Sequence, residues 1–187
     1  MGEQGALAPG EAWRAVAACF LTTFALLSRH RVRPPEGHVG RRLDFADGTG
    51  ARVYRETRLG SGLAKEPCTL VVVFRLRLVR GPAHALFRRE SLLNTPLFVG
   101  FPGFASKLWL AHDERGRYRG VYEWDGPRRA EHYARSLWRV LALVSEPGSI
   151  RYAIVPGVRR DDVIADPRLV EDPEPEAAAW WRTVAGT

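Results

Sequence analysis

Five aromatic residues, Trp109, Tyr122, Trp124, Tyr133 and Tyr152, fall in segments whose patterns place them side by side once folded. Rings gathered in this way either fill a core or wall a pocket for a flat, polycyclic ligand, with a few polar groups to orient it. The polar candidates beside them are Lys107 and Glu123. At facing strand positions these two form a cross-strand ion pair, and burial would turn one of them into a tuned acid or base. His84 and His132 are the titratable groups nearest the expected cleft, and each sits off the apolar stripe of its helix, so a surface role competes. His84, at the start of a helix facing the cleft, is the better candidate for a general base or an axial haem ligand. Arg75, Arg77 and Arg151 belong to one sheet face, either paired with acids such as those of the C-terminal tail or clamping a substrate carboxylate.

Several chemistries lack their motifs. The sequence holds no P-loop, GxGxxG, HExxH or GxSxG pattern, which argues against nucleotide hydrolysis, a Rossmann dinucleotide site and a zinc protease. Cys19 and Cys68 stand outside any CxxC or Cys/His metal spacing. They read as buried free thiols, with no metal and a reducing cytoplasm as the implied setting. Net charge is +7, yet 26 of the 28 basic residues are Arg, and the Arg, Ala, Gly and Pro bias is that of a GC-rich genome. Residues 161–187 carry seven acids and two Arg, so the acidic tail can lie on a basic face. The strand around Leu70 lacks the Gly-aromatic signature of RNA-recognition sheets, which weighs against nucleic-acid binding.

The elements that must position these residues follow from periodicity. Glu11 to His30 predicts a helix whose apolar face holds Trp13, Val16, Ala17, Phe20, Phe24 and Leu27. Its uncharged run from Ala15 to Ser28 is shorter than a membrane span of about twenty residues, and it lacks a signal-peptide pattern. Docking on the core is the favoured reading, with a dimer or partner contact and membrane attachment behind it. Leu43 to Arg58 reads as a hairpin turning at Asp47-Gly48. Thr69 to Val79 is the clearest strand, and Pro82 to Asn94 a helix. The apolar loop residues Leu97, Phe98 and Phe101 need cover. Phe104–Ala111 and Tyr118–Trp124 form a hairpin; a turn centred near Arg115 sets Lys107 opposite Glu123, Trp109 opposite Val121, and Leu108 opposite Tyr122. A helix from Pro127 to Ser145, capped by Asp125 or Gly126, carries the stripe Ala130, Tyr133, Ala134, Leu137, Leu141 and Val144. Ser149 to Val155 is the last strand, and a short helix from Glu176 to Val184 bears Trp180 and Trp181.

The order from Thr69 to Val155 is β-α-β-β-α-β, an α+β, ferredoxin-like core with an N-terminal helix and hairpin extension. The chain divides into a 1–66 extension, a 67–158 ferredoxin-like domain and a 159–187 acidic tail.

On Pro102-Gly103-Phe104, Lys107-Leu108-Trp109, Gly120-Val121-Tyr122-Glu123-Trp124, Ala130 and Tyr133, this core resembles the dimeric α/β-barrel superfamily, and within it the small YdhR-like putative monooxygenases. The resemblance implies a homodimer closed sheet to sheet and a pocket between sheet and helices. It also implies a cofactor-independent monooxygenase or a cyclase of specialised, polyketide-like metabolism, such as antibiotic biosynthesis. Its partners would be a hydrophobic small-molecule substrate and a second subunit, with no nucleic acid and no membrane. A haem-binding or haem-degrading protein and a non-catalytic ligand-binding or assembly protein are the alternatives. The extra N-terminal residues are placed to cover the open sheet face in the partner's stead.

Overall fold

The computed structural model describes residues 5–60, 64–77, 97–170 and 179–184. In chain order the described elements are α1 (Pro9–Ser28), β1 (Val32–Arg33), β2 (Arg42–Phe45), β3 (Gly50–Leu59), β4 (Pro67–Arg75), β5 (Phe104–Leu110) and β6 (Arg117–Asp125). Then come α2 (Pro127–Val144), β7 (Arg151–Pro156), α3 (Arg160–Ala165) and β8 (Thr183–Val184). The expected helix at 82–94, and His84 with it, lies outside the described residues.

The strands form one curled sheet in the order β7-β4-β6-β5-β3-β2-β8, with β1 on β3, and every pairing is antiparallel. The inner four, β7-β4-β6-β5, carry the ferredoxin-like order, and α2 connects β6 to β7. The central pair runs from Pro67↔Asp125 to Arg75↔Arg117 without a register shift. Buried residues alternate between two cores, as the two-residue period of a strand requires. Leu70, Val72, Tyr122 and Trp124 face α2, α1 and Phe98. Val71, Val73, Leu108 and Val121 face the other way, against Leu43, Phe45, Ile164 and Trp180. That second face is therefore covered by the chain's own N-terminal hairpin and C-terminal tail. The 1–66 segment is continuous with the core sheet, because β3 extends it by pairing with β5.

Several expectations are corrected in detail. The β5–β6 turn does centre on Arg115: the Asp113 amide donates to the Arg117 carbonyl and the Gly116 amide to the Asp113 carbonyl, both at 2.9 Å. Beyond it, however, Leu110 pairs with Arg119, so β5 contributes one extra residue around Ala111 and His112. The ladder consequently sets Lys107 opposite Tyr122, Leu108 opposite Val121 and Trp109 opposite Gly120. A one-residue slip exchanges the faces, and Glu123 leaves the Lys107 side. Asp125 does not cap α2; its Oδ1 accepts from the Lys65 and Glu66 amides at 2.8 Å, and Gly126 stands at the N-cap. The tail tryptophans dock as expected, but residues 179–184 form a turn and the β8 strand rather than a helix. Arg75 pairs with Glu146 and Arg77 donates to the Ser145 carbonyl, so neither meets a tail carboxylate among the described residues, while Arg151 lies over the Trp180 ring of the tail.

α1 also docks by a face other than the one predicted. Ala12, Val16, Cys19 and Thr23 turn inward. Gly100 makes that seat possible, since a Cβ there would lie 2.9 Å from the Thr23 amide nitrogen and closer still to the Cys19 carbonyl. Both cysteines are free and buried, and desolvation, with Asp125 and Glu123 nearby, raises the Cys68 thiol to about 12.

A buried ionic cluster ties the two hairpin turns together. Arg119 is fully buried and donates to Asp113 at 2.7 Å, to Asp47 at 3.0 Å and to Thr49 at 2.9 Å. Arg117 adds donations to the same two carboxylates at 2.9 and 2.8 Å. Removing one partner of such a pair strands a buried charge, at a cost of about 3–5 kcal/mol. Asp113→Ala is expected to lower stability by about that amount in urea unfolding, whereas Arg115→Ala, in the same turn but exposed, is expected to stay within about 0.5 kcal/mol.

Candidate functional site

The site forms on the α2 face of the sheet. β5 contributes Lys107 and Trp109, β6 contributes Gly120 and Tyr122, and α2 contributes Tyr133, Leu137 and Leu141. Among the described residues they wall a cavity of about 180 Å³, closed further by Tyr54, Leu97 and Phe98. The space depends on Gly120. A Cβ there would meet the Tyr122 ring at 2.7 Å, so the missing side chain lets that ring lie flat over β6.

Lys107 is the charged group placed most unusually. It is 6% exposed, and its Nζ lies 3.2 Å from the centre of the Trp109 ring, 4.5 Å from Phe98 and 4.8 Å from Tyr122. No carboxylate pairs with it among the described residues. Burial pushes its pKa well below 10.5, and the Arg55 guanidinium pushes the same way. Arg55 approaches the same indole, its Cζ 5.0 Å from the ring centre. The indole is fixed by its own donation, Nε1 to Thr57 Oγ1 at 3.1 Å. Lys107 is thus an amine held toward its neutral form, with its lone pair available in an apolar enclosure.

The second polar feature is a pair of phenols. The Tyr133 hydroxyl donates to the Tyr122 hydroxyl at 3.1 Å. Desolvation raises both above the ordinary phenol range, so both keep their protons. With Tyr133 as its donor, Tyr122 retains a proton for an acceptor inside the cavity.

Of the sequence-predicted aromatic set, Trp109, Tyr122 and Tyr133 line the cavity. Trp124 is fully buried behind them, its ring centre 4.8 Å from that of Tyr133, and it supports the wall from the core. Tyr152 packs edge-on to Trp138 and is part of the same core rather than of the lining. Glu123 sits on the opposite sheet face and accepts from Arg159 at 3.0 Å, so the expected Lys107–Glu123 pair does not form. His132 is on the exposed side of α2. Sequence reasoning missed Tyr54. It belongs to the extension, and an irregularity in the β3–β5 pairing between Val53 and Arg55 sets it and Arg55 side by side on the cavity side of the sheet. Phe98 was flagged only as a loop residue needing cover; it is 1% exposed and contacts Phe104 and Trp109 edge-on. Among the described residues no cluster of His, Cys, Asp and Glu could hold a metal ion.

No protein-family model and no curated protein matches the sequence. Solved structures do show likeness. A ferredoxin-fold protein from Listeria monocytogenes 4b F2365, related to antibiotic biosynthesis monooxygenases, is 14% identical with a TM-score of 0.41, over 60% of this chain and 66% of that one. A monooxygenase-like protein from Listeria innocua is 15% identical with a TM-score of 0.40, over 59% and 65%. An anthrone oxidase-like protein is 16% identical with a TM-score of 0.40, over 59% and 55%. The chain thus spans less than two thirds of each of these proteins' length. The ferredoxin-like character stands on this chain's own strand order.

The buried amine gives a sign for the effect of pH. Between the lowered folded pKa and 10.5, the unfolded chain binds a proton at Lys107 that the folded chain does not. Stability from this group therefore rises with pH through that window and is lowest below it. Lys107→Met, which fills the same space without an amine, is expected to raise stability at neutral pH by about 1–3 kcal/mol. It should also flatten the rise in melting temperature between neutrality and about pH 10; an unchanged slope would count against a depressed amine.

Proposed function

We propose that this protein is a small-molecule enzyme that takes a proton from a flat, weakly acidic hydrophobic substrate, with Lys107 as the base. The observation that carries the reading is the Lys107 Nζ, buried on the face of Trp109 with no carboxylate among the described residues and opening on an aromatic-walled cavity. The ring walls suit a planar ligand. A neutral amine in an apolar site is matched to abstracting a proton near neutral pH. The Tyr122 hydroxyl, backed by Tyr133, would donate to the oxygen on which the negative charge of the resulting enolate collects. Such a carbanion reacts with dioxygen without a cofactor, or closes a ring onto a neighbouring carbonyl, which covers both the monooxygenase and the cyclase forms of the reading.

A tricyclic ketone such as anthrone tests it directly. Lys107 takes a proton from the ring CH₂, dioxygen adds at that carbon, and the hydroperoxide loses water to leave the quinone. One O₂ is consumed per substrate, one oxygen atom entering the product and the other leaving as water. Anthrone is expected to quench tryptophan fluorescence and to drive oxygen uptake with quinone formation in wild-type protein. Lys107→Met should cut the rate by about 10²-fold or more, and Tyr122→Phe by about 10²-fold, with both variants folded. Binding without turnover in wild type would point instead to a ligand-binding protein, and an unchanged rate in Lys107→Met would remove the base.

A further inference from the structure

We infer that the outward face of α1 is a homodimer surface, on which a second copy of this chain packs its own α1 across a two-fold axis near Phe20. The inference does not rest on the proposed function. Residues 13, 17, 20, 24 and 27 are spaced 4, 3, 4 and 3 apart, the seam by which two helices interdigitate. They are Trp13, Ala17, Phe20, Phe24 and Leu27, and this seam runs alongside the face that docks on the core, about a quarter-turn around the helix from it. Trp13 is 50% exposed, Phe24 62% and Leu27 41%, and the neighbouring Leu21 is 75% exposed. Four of the nine large exposed hydrophobics among the described residues therefore lie on this one helix.

Three observations select a second copy as the occupant. The first is the state of the sheet. Its open face is already covered by β2, α3 and Trp180 of the same chain, so copies cannot pair sheet to sheet as the resemblance implies. The second is area. Trp13, Leu21, Phe24 and Leu27, together with the part-buried Phe20, would bury on the order of 1,000 Å² over both copies, the lower bound of a specific interface. The third is the charge pattern. From Ala15 to Ser28 the helix bears no charge, so pairing along the seam desolvates no charged side chain there. A helix that lies on an anionic bilayer instead carries Arg or Lys along its polar side. Charges occur only toward the ends, with Glu11 in the first turn, Arg14 one turn-width later and Arg29 at the C-cap. An antiparallel pair brings Glu11 of one copy toward the Arg29 end of the other and opposes the helix dipoles.

Sedimentation equilibrium of the full chain without detergent tests this. Wild type is expected at twice 20.9 kDa. Ala17→Glu combined with Phe24→Glu should sediment at 20.9 kDa and still melt cooperatively, at a temperature that no longer depends on protein concentration. Should that pair fail to fold, Leu27→Glu alone is expected to raise the dimer dissociation constant at least tenfold. A monomeric wild type would overturn the inference, as would a double variant that stays dimeric. A monomer that floats with phosphatidylglycerol-containing vesicles would replace the second copy with a lipid surface.

Discussion

The β4–β6 ladder is the constraint to which the other elements answer. Its nine consecutive antiparallel pairs are buried along most of their length on both faces. A strand pair buried on two sides must be covered on two sides, or its apolar residues meet water. α2 and α1 supply one cover; the N-terminal hairpin and the tail supply the other. The cavity lies within the first cover, where the glycine opposite Trp109 leaves room in an otherwise filled layer.

The second cover is held by charge as well as by packing. Arg119 fastens the β2–β3 turn to the β5–β6 turn through Asp47 and Asp113. At the far end of the hairpin Glu56 accepts from Arg160 at 2.7 Å and contacts His38 Nδ1 at 2.9 Å, and Arg58 pairs with Asp161 at 3.1 Å. The buried pairs of Arg119 and Arg160 set which segment lies where more than they add net stability, because desolvation offsets much of their attraction, and the exposed Arg58–Asp161 pair adds little.

Most of the strand order was legible from period-two alternation and from glycine and proline punctuation. β4, β6, α2 and the Asp47-Gly48 turn announce themselves in this way. What escaped was register. The turn at Arg115 is where the charged residues and Gly116 place it, but the added residue near His112 is invisible to pattern counting. That residue decides which sheet face Glu123 joins. The site was half legible for the same reason. Trp109, Tyr122 and Tyr133 belong to the right elements whatever the register, whereas a partner for Lys107 could be assigned only by knowing it. α1 misled differently. Its apolar residues cover more than one face, so periodicity cannot say which face is docked, and the seat at Gly100 decides it.

One compositional accident becomes useful once Lys107 is placed. The chain has two lysines, and Lys65 lies exposed beside the start of β4 while Lys107 sits against Trp109. Reductive methylation with carbon-13 would install two side-chain labels, one in water and one under an indole ring. The ring current would separate their resonances, so the interior amine and its occupancy could be followed by magnetic resonance with the exposed one as internal standard.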